Sequence, residues 1–585
     1  MNKKPLNKKS SPKPTPPAKP ISKAASANKN NYLFYGSMIM LFLISILAFS
    51  PMVNNGFIET WDDGIYILQN QLLNDLSWQG VIKIFSYGDQ FQKISNNYHP
   101  FTILSLAINY KMSGLSPASY HITNLVFHGV NAVLVFIFVF ILSRRRMLPA
   151  VISGLLFAVH PLHVESVAWV SERKDVLYTF FFLAGVIAYL KYREDEKIWK
   201  LGVALLLFIF SCLSKAMAVS FPLILLLVDY FQRRRFSWKL IIEKIPFFII
   251  ALIIGLMSVN LQSISAINKF EIFTFYQRIM HASFGFITYI IKFIYPYNLS
   301  AFYPYPPITA TGLLPFSFLI APYLCLVVAG LLIWTSTRKG EIPRVIVFGI
   351  LFYFFTIVLV LQFLSVGKAI IADRYSYIPF IGLAFIIGMV GDFYLQKKSS
   401  LKYLGYGLIA ASLILSVVLS FMTYERTKVW KDDITLWSDA LRQYPDSRLT
   451  FIYDKRAQLY LSRDIYEPAL SDYLIITANE PRNDNALECI GRIYGKYYNN
   501  LGKAIEYLEK AYTINPKNPT VLKSLGVAMG IKGDFQRSLD YMLQSYNIDK
   551  TDTNLLMNIS ASYNNLRMPE KAKVYDELAK SLKSK

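Results

Sequence analysis

The sequence predicts an all-α protein in two parts, a polytopic transmembrane core of about eleven spans and a following α-solenoid of short helical repeats. Three observations support this prediction. Of the 585 residues, 54% are hydrophobic and only 17% are charged. Apolar runs of bilayer-spanning length recur from the N-terminal region to residue 424. After that point the sequence becomes polar, and small residues recur at a fixed period.

The N-terminal segment is basic and has almost no apolar residues. Residues 1–30 contain eight lysines and no acidic residue, mixed with Pro, Ser and Asn. Such a composition cannot bury a core, so we predict a disordered basic tail over residues 1–31. The apolar run that follows, near Tyr35 to Val53, has no convincing small-residue cleavage site. We therefore interpret it as a retained first span and not as a signal peptide.

The membrane domain is predicted to cover residues 32–424. Its candidate spans are 35–53, 121–142, 148–170, 176–191, 201–213, 216–230, 245–261, 315–334, 345–363, 377–393 and 403–422. Segment 275–296 is also apolar, but counting it as a span would invert the side of every later loop. We interpret that segment as interfacial or re-entrant.

Basic clusters give the predicted orientation. The clusters at 144–146, 233–235, 338–339 and 397–398 fall in alternate loops, on the side of the N-terminal tail. Basic loops mark the cytoplasmic side, so the N-terminus is predicted to be cytoplasmic and the C-terminal domain exterior or, in a bacterial inner membrane, periplasmic. The net charge of +23 thus reflects topology and does not indicate nucleic-acid binding.

The C-terminal domain, residues 425–585, carries an internal repeat. Small residues recur at steps of 34 or 35 residues, at Ala457, Gly491, Gly526 and Ser560. This period is typical of tetratricopeptide repeats, in which small residues let two antiparallel helices pack closely. We predict about four helical pairs from about Asp446 onward. Such arrays bind an extended peptide or a protein partner, although a purely structural lid is the alternative.

Two adjacent carboxylates, Asp62 and Asp63, follow the first span in the motif "ETWDDGIYILQ". The simpler interpretation is a helix cap, because Asp before "GIYILQN" can start an interfacial helix. The second is catalytic, since a carboxylate that is partly desolvated under Trp61 can act as a general base on an acceptor hydroxyl. On the exterior face the sugar donor would have to be a lipid phosphate, because nucleotide sugars are confined to the cytoplasm.

Charged residues are dense in two further loops on the predicted exterior side. In "IIADRYSYIPF", Arg374 can hold a phosphate or extend its head group to the interface. In "HPLHVESVAWVSERKDVL", the charges either form the cationic part of a site or satisfy one another in an ion-pair network. The spacing His-x-x-His-x-Glu is not a zinc motif, so we predict no metal site. The candidates in this loop are His160, His163, Glu165, Glu172, Arg173, Lys174 and Asp175.

Several long motifs in one order resemble a known family. They include "YHPFTILSLAINYKMSGLSPASYHITNLVFHGVNAVLVF", "LFAVHPLHVESVAWVSERKDVLYTFFFL", "LSKAMAVSFPLILLLVDY", "NLSAFYPYP", "ADRYSYIPFIGL" and "VWKDDITLWSDAL". The chain resembles bacterial tetratricopeptide-repeat membrane proteins related to the transmembrane and tetratricopeptide-repeat O-mannosyltransferases. The resemblance covers nearly everything from Tyr35 to the C-terminus.

The resemblance implies a GT-C glycosyltransferase fold, with a polyprenyl-phosphate sugar as donor and an acceptor hydroxyl that belongs to a polypeptide Ser or Thr in the eukaryotic relatives. It makes Asp62 or Asp63 the catalytic base, without deciding between them. We assign the donor phosphate by charge to Arg173, Lys174 and Arg374. His99, His160 and His163 lie at motif positions and are candidate site-lining residues, as are Glu165, Glu172 and Asp175. No cofactor is predicted, and a requirement for a divalent cation is left open. The alternative function is a membrane-anchored, non-catalytic repeat scaffold for envelope proteins.

Overall fold

The protein is described by a computed structural model over residues 23–87, 97–263, 273–306, 314–363, 369–446 and 448–583. Within these ranges the regular structure is helical and no β-strand forms. The predicted disordered tail falls mostly outside the described residues, since these begin at Lys23, which is also the first residue of helix α1.

The N-terminal part is a bundle of long apolar helices with short connections. Its helices are α1 (Lys23–Phe49), α2 (Trp78–Phe85), α3 (Pro100–Ser113), α4 (Pro117–Leu142), α5 (Met147–Ala158), α6 (Val164–Ala168), α7 (Arg173–Asp195), α8 (Ile198–Ser214), α9 (Phe221–Phe231), α10 (Trp238–Ile242), α11 (Ile245–Ser263), α12 (Phe275–Ile294), α13 (Phe316–Ser336), α14 (Glu341–Ile357), α15 (Phe380–Leu395) and α16 (Lys402–Val429).

Seven of the described helices are long and apolar enough to cross a membrane, and the bent pair α5 and α6 brings the number to eight. The sequence predicted about eleven spans, and that number is not confirmed. Each predicted segment contains helix, although 148–170 is broken after Ala158. Helix α8, the segment Ala216–Phe231 and α15 are shorter apolar helices. Helix α12 is continuous and is not among the seven. Its interpretation as interfacial or re-entrant stays a prediction.

The bend between α5 and α6 is 53° and lies at His160 and Pro161. Proline has no backbone N–H to continue a helix, which explains a break at this position. The carbonyl groups freed at the end of α5 are bonded by side chains: Thr423 donates to the Val159 carbonyl at 2.7 Å, and His163 Nδ1 lies 2.9 Å from the Phe157 carbonyl. The bend places the charged loop 165–175 inside the bundle, where most of its residues are buried.

The C-terminal part begins as α16 ends. A short connection leads to α17 (Asp433–Gln443), and four consecutive helical pairs follow. The pairs are α18 (Thr450–Ser462) with α19 (Tyr466–Asn479), α20 (Asp484–Lys496) with α21 (Leu501–Ile514), α22 (Pro519–Lys532) with α23 (Phe535–Ile548), and α24 (Thr553–Asn565) with α25 (Pro569–Lys583).

The periodic small residues lie where the paired helices touch. A Cβ atom on Gly491 would come within 3.0 Å of the Ala504 carbonyl oxygen, and one on Gly526 within 2.6 Å of Met542. Ala457 and Ala469 are fully buried in the first pair. The repeat architecture predicted from the period is therefore confirmed. As predicted, the small residues let the two helices of a pair pack closely.

Candidate functional site

The two adjacent aspartates of the first loop have different surroundings. Asp63 is fully buried, and its carboxylate accepts the backbone N–H groups of Ile58 and Ser171, both at 2.8 Å, together with the Ser171 hydroxyl. Burial raises the pKa of Asp63 to about 7, although these hydrogen bonds lower it. Asp63 thus fastens the first loop to the turn that precedes α7.

Gly64 completes this loop for a steric reason. A Cβ atom at this position would lie 2.3 Å from the Glu59 carbonyl oxygen, a distance that no side chain tolerates. The glycine of the motif is therefore required by the tight return of the backbone.

Asp62 keeps access to solvent. Its side chain is 27% exposed, and its Oδ2 lies 3.3 Å from Nζ of Lys174. Lys174 is itself nearly buried and also contacts Glu172 at 3.2 Å, with its ammonium group over the ring of Tyr66. Of the pair, Asp62 is the carboxylate that a substrate can reach.

Behind Asp62 lies a carboxylate–cation network. Glu172 is its centre, with carboxylate oxygens 3.2 Å from Lys174, 3.2 Å from Lys215 and 3.4 Å from Arg374. Asp175 pairs with Lys215 and accepts a hydrogen bond from Ser166 at 3.0 Å. The members of the network are Asp62, Glu165, Glu172, Lys174, Asp175, Lys215 and Arg374.

Arg374 reaches the network from the other side of the bundle. Its guanidinium group pairs with Glu165, and its backbone N–H donates to the same carboxylate at 3.0 Å. With an exposed side-chain fraction of 18%, it is more accessible than Lys174 or Lys215. The network contains four carboxylates and three cations, so each cation is already paired.

Tryptophan rings cover the network next to Asp62. Trp61 packs between Trp169 and Trp437, with ring centroids 4.3 and 5.0 Å away. Trp430 lies on the far side of Trp169 at 5.7 Å. Trp437 belongs to α17, and its Nε1 donates to the Thr60 hydroxyl at 2.8 Å. The C-terminal part therefore supplies one wall of the candidate site.

His99 lies beside the same cations. It is 5% exposed, and its Nδ1 has no hydrogen-bond partner in the part of the chain that the structure describes. Burial, together with the positive charges of Lys174 and Lys215, lowers the pKa of His99 to about 3. The imidazole is therefore neutral near pH 7, and its Nδ1 is buried.

Arg173 is placed apart from the network. Its side chain is fully buried and donates to Ser105 at 2.8 Å, to Asn109 at 2.9 Å and to the Tyr120 carbonyl at 3.0 Å, and also to Asn124. These bonds tie α7 to α3 and α4. The N–H groups of the Arg173 guanidinium donate to protein acceptors, so they are not available to a phosphate. The structure therefore makes Arg173 a packing residue and not the phosphate ligand that its charge predicted.

His160 and His163 are also buried at the helix break and bond to the backbone. His160 Nε2 lies 3.1 Å from the Phe293 carbonyl, and its Nδ1 accepts the Leu162 N–H at 3.3 Å. His163 Nδ1 bonds to the Phe157 carbonyl. Among the described residues, no cluster of His, Cys, Asp or Glu has an arrangement that could hold a metal ion. The two histidines shape the bend that carries Glu165.

Sequence reasoning missed three residues of this region. Lys215 holds Glu172 and Asp175, Ser171 holds Asp63, and Asp433 holds the first loop through the N–H groups of Glu59 and Thr60, both at 2.9 Å. A usable signal existed for Lys215, because a lone lysine between two apolar segments needs an acidic partner. Ser171 and Asp433 carry no comparable signal.

Comparison with known proteins gives relatives of one kind. No family model matches the chain. It is 25% identical over 426 residues to protein O-mannosyl-transferase F38B6.6 of Caenorhabditis elegans, covering 70% of this chain and 58% of that protein. It is 22% identical to the human protein O-mannosyl-transferase TMTC3, covering 84% and 49%. With human TMTC4 the identity is 30%, covering 26% and 23%.

Two solved structures match about a quarter of this chain each. The crystal structure of MamA is 14% identical with a TM-score of 0.23 and covers 26% of this chain and 81% of that one. YrrB, described as a TPR protein with an unusual peptide-binding site, is 17% identical with a TM-score of 0.22, covering 26% and 75%.

The chain spans about half the length of the curated relatives it matches. The matches cover most of this chain, and all of the named relatives carry the same designation. Over most of its length, the chain is therefore similar to the protein O-mannosyl-transferases of the TMTC group.

Proposed function

We propose that this protein is a membrane glycosyltransferase of the GT-C type that moves a sugar from a polyprenyl-phosphate donor to an acceptor hydroxyl on the exterior face. The names of its relatives support the class of reaction. The observation that carries the proposal is the placement of Asp62, an accessible carboxylate under a tryptophan wall and 3.3 Å from a buried lysine.

Asp62 is the general base in this proposal. It accepts the proton of the acceptor hydroxyl while the hydroxyl oxygen forms a bond to the anomeric carbon of the sugar. The bond between that carbon and the phosphate oxygen breaks, and the electron pair leaves with the lipid phosphate. One displacement of this kind inverts the anomeric carbon. Asp63 positions the loop and does not touch the substrate, because its oxygens are occupied by Ile58 and Ser171.

The departing phosphate is bound by Lys174 and Arg374. Both lie beside Asp62 or Glu172, and both keep some exposure. Because each is already paired with a carboxylate, the donor must exchange with a protein partner, and the phosphate would replace Glu172 on Arg374 at the 3.4 Å contact. Lys215 holds Glu172 and Asp175 behind them. Arg173 is not assigned to the donor.

The repeats present the acceptor. A cavity of about 500 Å³ lies between the first helical pairs, and its charged lining residues are Asp454, Glu488 and Arg492. The cavity is large enough for several residues of an extended peptide, and its mixed charge suits a polar segment that contains Ser or Thr. The wall formed by Trp437 places the start of the repeat domain beside Asp62.

The test compares cells that lack the gene with cells complemented by the parent, by Asp62→Asn or by Asp75→Asn. Asp75 is an exposed carboxylate in the same loop, bonded to the N–H of Ser77, and serves as the matched control. Intact-glycoprotein mass spectrometry should show one hexose-sized addition with the parent and Asp75→Asn. The addition should fall by at least about a hundredfold with Asp62→Asn at equal protein level.

Full transfer by Asp62→Asn would remove Asp62 as the base. Unchanged glycans in all four strains, with a phenotype that depends on residues 425–585, would favour the scaffold function instead. The structure offers one observation for that alternative, because the network's cations are all paired with carboxylates of the protein itself.

A further inference from the structure

A second charged cavity lies at the opposite end of the helical bundle from Asp62. Helix α4 connects the two regions: Tyr120, near its start, accepts a hydrogen bond from Arg173, and Leu142, at its end, lines the cavity. The 26 residues of α4 span about 39 Å. Because α4 is a candidate membrane span, the cavity lies at the other end of that span from the candidate site. Its volume is about 210 Å³.

The charges that line this cavity come from three separate parts of the chain. They are Arg144 and Arg146 after α4, Arg233 after α9, and Glu341 and Arg344 at the start of α14. Four arginines against one glutamate leave a local excess of positive charge. Like charges that converge from distant loops repel one another, and an anion bound among them would relieve this repulsion. Arg144 and Arg233 are exposed, so an anion from outside can reach them.

Among the described residues, one of these arginines has ion-pair partners within 4.0 Å. Arg146 pairs with Glu341 at 2.7 Å and with Asp392 at 3.3 Å. Over the described ranges of the chain, Arg144, Arg233 and Arg344 form no ion pair within 4.0 Å. By contrast, Arg234, next to Arg233, pairs with Glu243 at 2.6 Å and with Asp229 at 3.4 Å. Of these two adjacent arginines, Arg234 is therefore ion-paired and Arg233, among the described residues, is not.

We propose that this cavity is a binding site for a phosphate group. Arginine guanidinium groups bind phosphate oxygens in a bidentate manner and keep their charge at all physiological pH values. The volume is smaller than the roughly 300 Å³ or more of a drug-sized site and suits a single head group. Ser143 also lines the cavity, and Leu142, Phe231 and Met389 provide an apolar border. The phosphate comes either from an anionic lipid or from solution.

The experiment uses the full chain in detergent, and its readout is independent of glycosyl transfer. Native mass spectrometry measures retention of phosphatidylglycerol and of phosphatidylcholine, and thermal unfolding measures stabilisation by inorganic phosphate. The test variant is Arg233→Gln with Arg344→Gln. The matched control is Lys397→Gln with Lys398→Gln, a basic pair in another loop that does not line the cavity.

We expect the parent and the control to retain phosphatidylglycerol roughly tenfold more than the test variant, with equal retention of phosphatidylcholine. Stabilisation by inorganic phosphate that is lost in the test variant, without a difference in lipid retention, would identify a soluble phosphate compound as the ligand. Equal behaviour of parent and test variant in both measurements would overturn the proposal.

Discussion

At the scale of single residues, the first loop separates two chemically identical side chains by their contacts. Asp63 gives its oxygens to backbone N–H groups and to Ser171, whereas Asp62 faces Lys174 and solvent. Adjacent residues on a turn point in different directions, so Asp63 is held by the fold whereas Asp62 stays accessible. The sequence could place the pair, but it could not divide the two roles between its members.

The buried position of Asp63 gives a pH dependence with a definite sign. Its pKa rises from 3.8 to about 7 on folding because of burial. The folded state therefore holds the proton more tightly, and this contribution to stability is complete below about pH 4 and is lost as the pH rises through about 7. The loss has an upper bound of roughly 4–5 kcal/mol, since one pKa unit corresponds to about 1.4 kcal/mol.

We therefore expect the difference in thermal midpoint between parent and Asp63→Asn to change with pH. From about pH 5 to pH 8 the midpoint of the parent should fall relative to that of the variant, because the variant has no titrating group there. Thermal unfolding in one detergent across this range measures the effect. Asp75→Asn should not show this drift relative to the parent, and a constant difference for Asp63→Asn would contradict the prediction.

The sequence indicated which charged residues are candidates for the site, but it did not indicate which of them contact one another. Lys174 and Arg374, which are assigned to the donor phosphate by their charge, both contact Glu172 in the structure. Arg173, one residue before Lys174, was grouped with them by charge, but in a helix adjacent side chains face different directions. Lys215 was absent from the prediction because its partners lie 40 and more residues earlier in the chain.

At the scale of the helices, close packing depends on small residues at crossings. Helices α14 and α15 meet at Gly349 and Gly382, where a Cβ on Gly382 would lie 2.4 Å from the Gly349 carbonyl oxygen. In a membrane the hydrophobic effect does not hold helices together, so such close backbone contact is a main source of association. The apolar character of these segments predicts that they are helices. It does not predict where the two helices cross, because that depends on which turns of two separate segments meet.

We expect Gly382→Ala to destabilise the bundle by about 1–3 kcal/mol, because its methyl group requires α14 and α15 to move apart. The matched control is Gly407→Ala in α16, where a Cβ would have no neighbour within 4 Å. Alanine favours a helix over glycine by up to about 1 kcal/mol, so the control should be neutral or stabilising. Thermal unfolding of the two variants measures the difference, and equal midpoints would show that the crossing adapts.

At the scale of the whole molecule, the first loop joins the two parts of the chain. Its Gly56 N–H donates to the Lys431 carbonyl at 2.8 Å, and the Asn55 side chain donates to the Thr427 carbonyl at 3.0 Å. Asp433 then accepts two backbone N–H groups from the loop. The loop is thus bonded to the repeat domain on one side and, through Asp63, to the turn before α7 on the other.

This double attachment couples the position of Asp62 to the repeat domain. Asp433→Ala removes charge-assisted bonds to the N–H groups of Glu59 and Thr60, each of which contributes roughly 1.5–3 kcal/mol. We expect hydrogen exchange of residues 57–63 to accelerate at least tenfold, because local opening becomes easier. Glycosyl transfer should fall in parallel.

The control is Asp534→Ala, which removes a helix cap in a distant repeat, where Asp534 accepts the Arg537 N–H at 3.1 Å. That variant should accelerate exchange only near its own helix. Unchanged exchange at residues 57–63 in Asp433→Ala would mean that the loop is held from the membrane side alone, so that an acceptor on the repeats could not influence Asp62 through this contact.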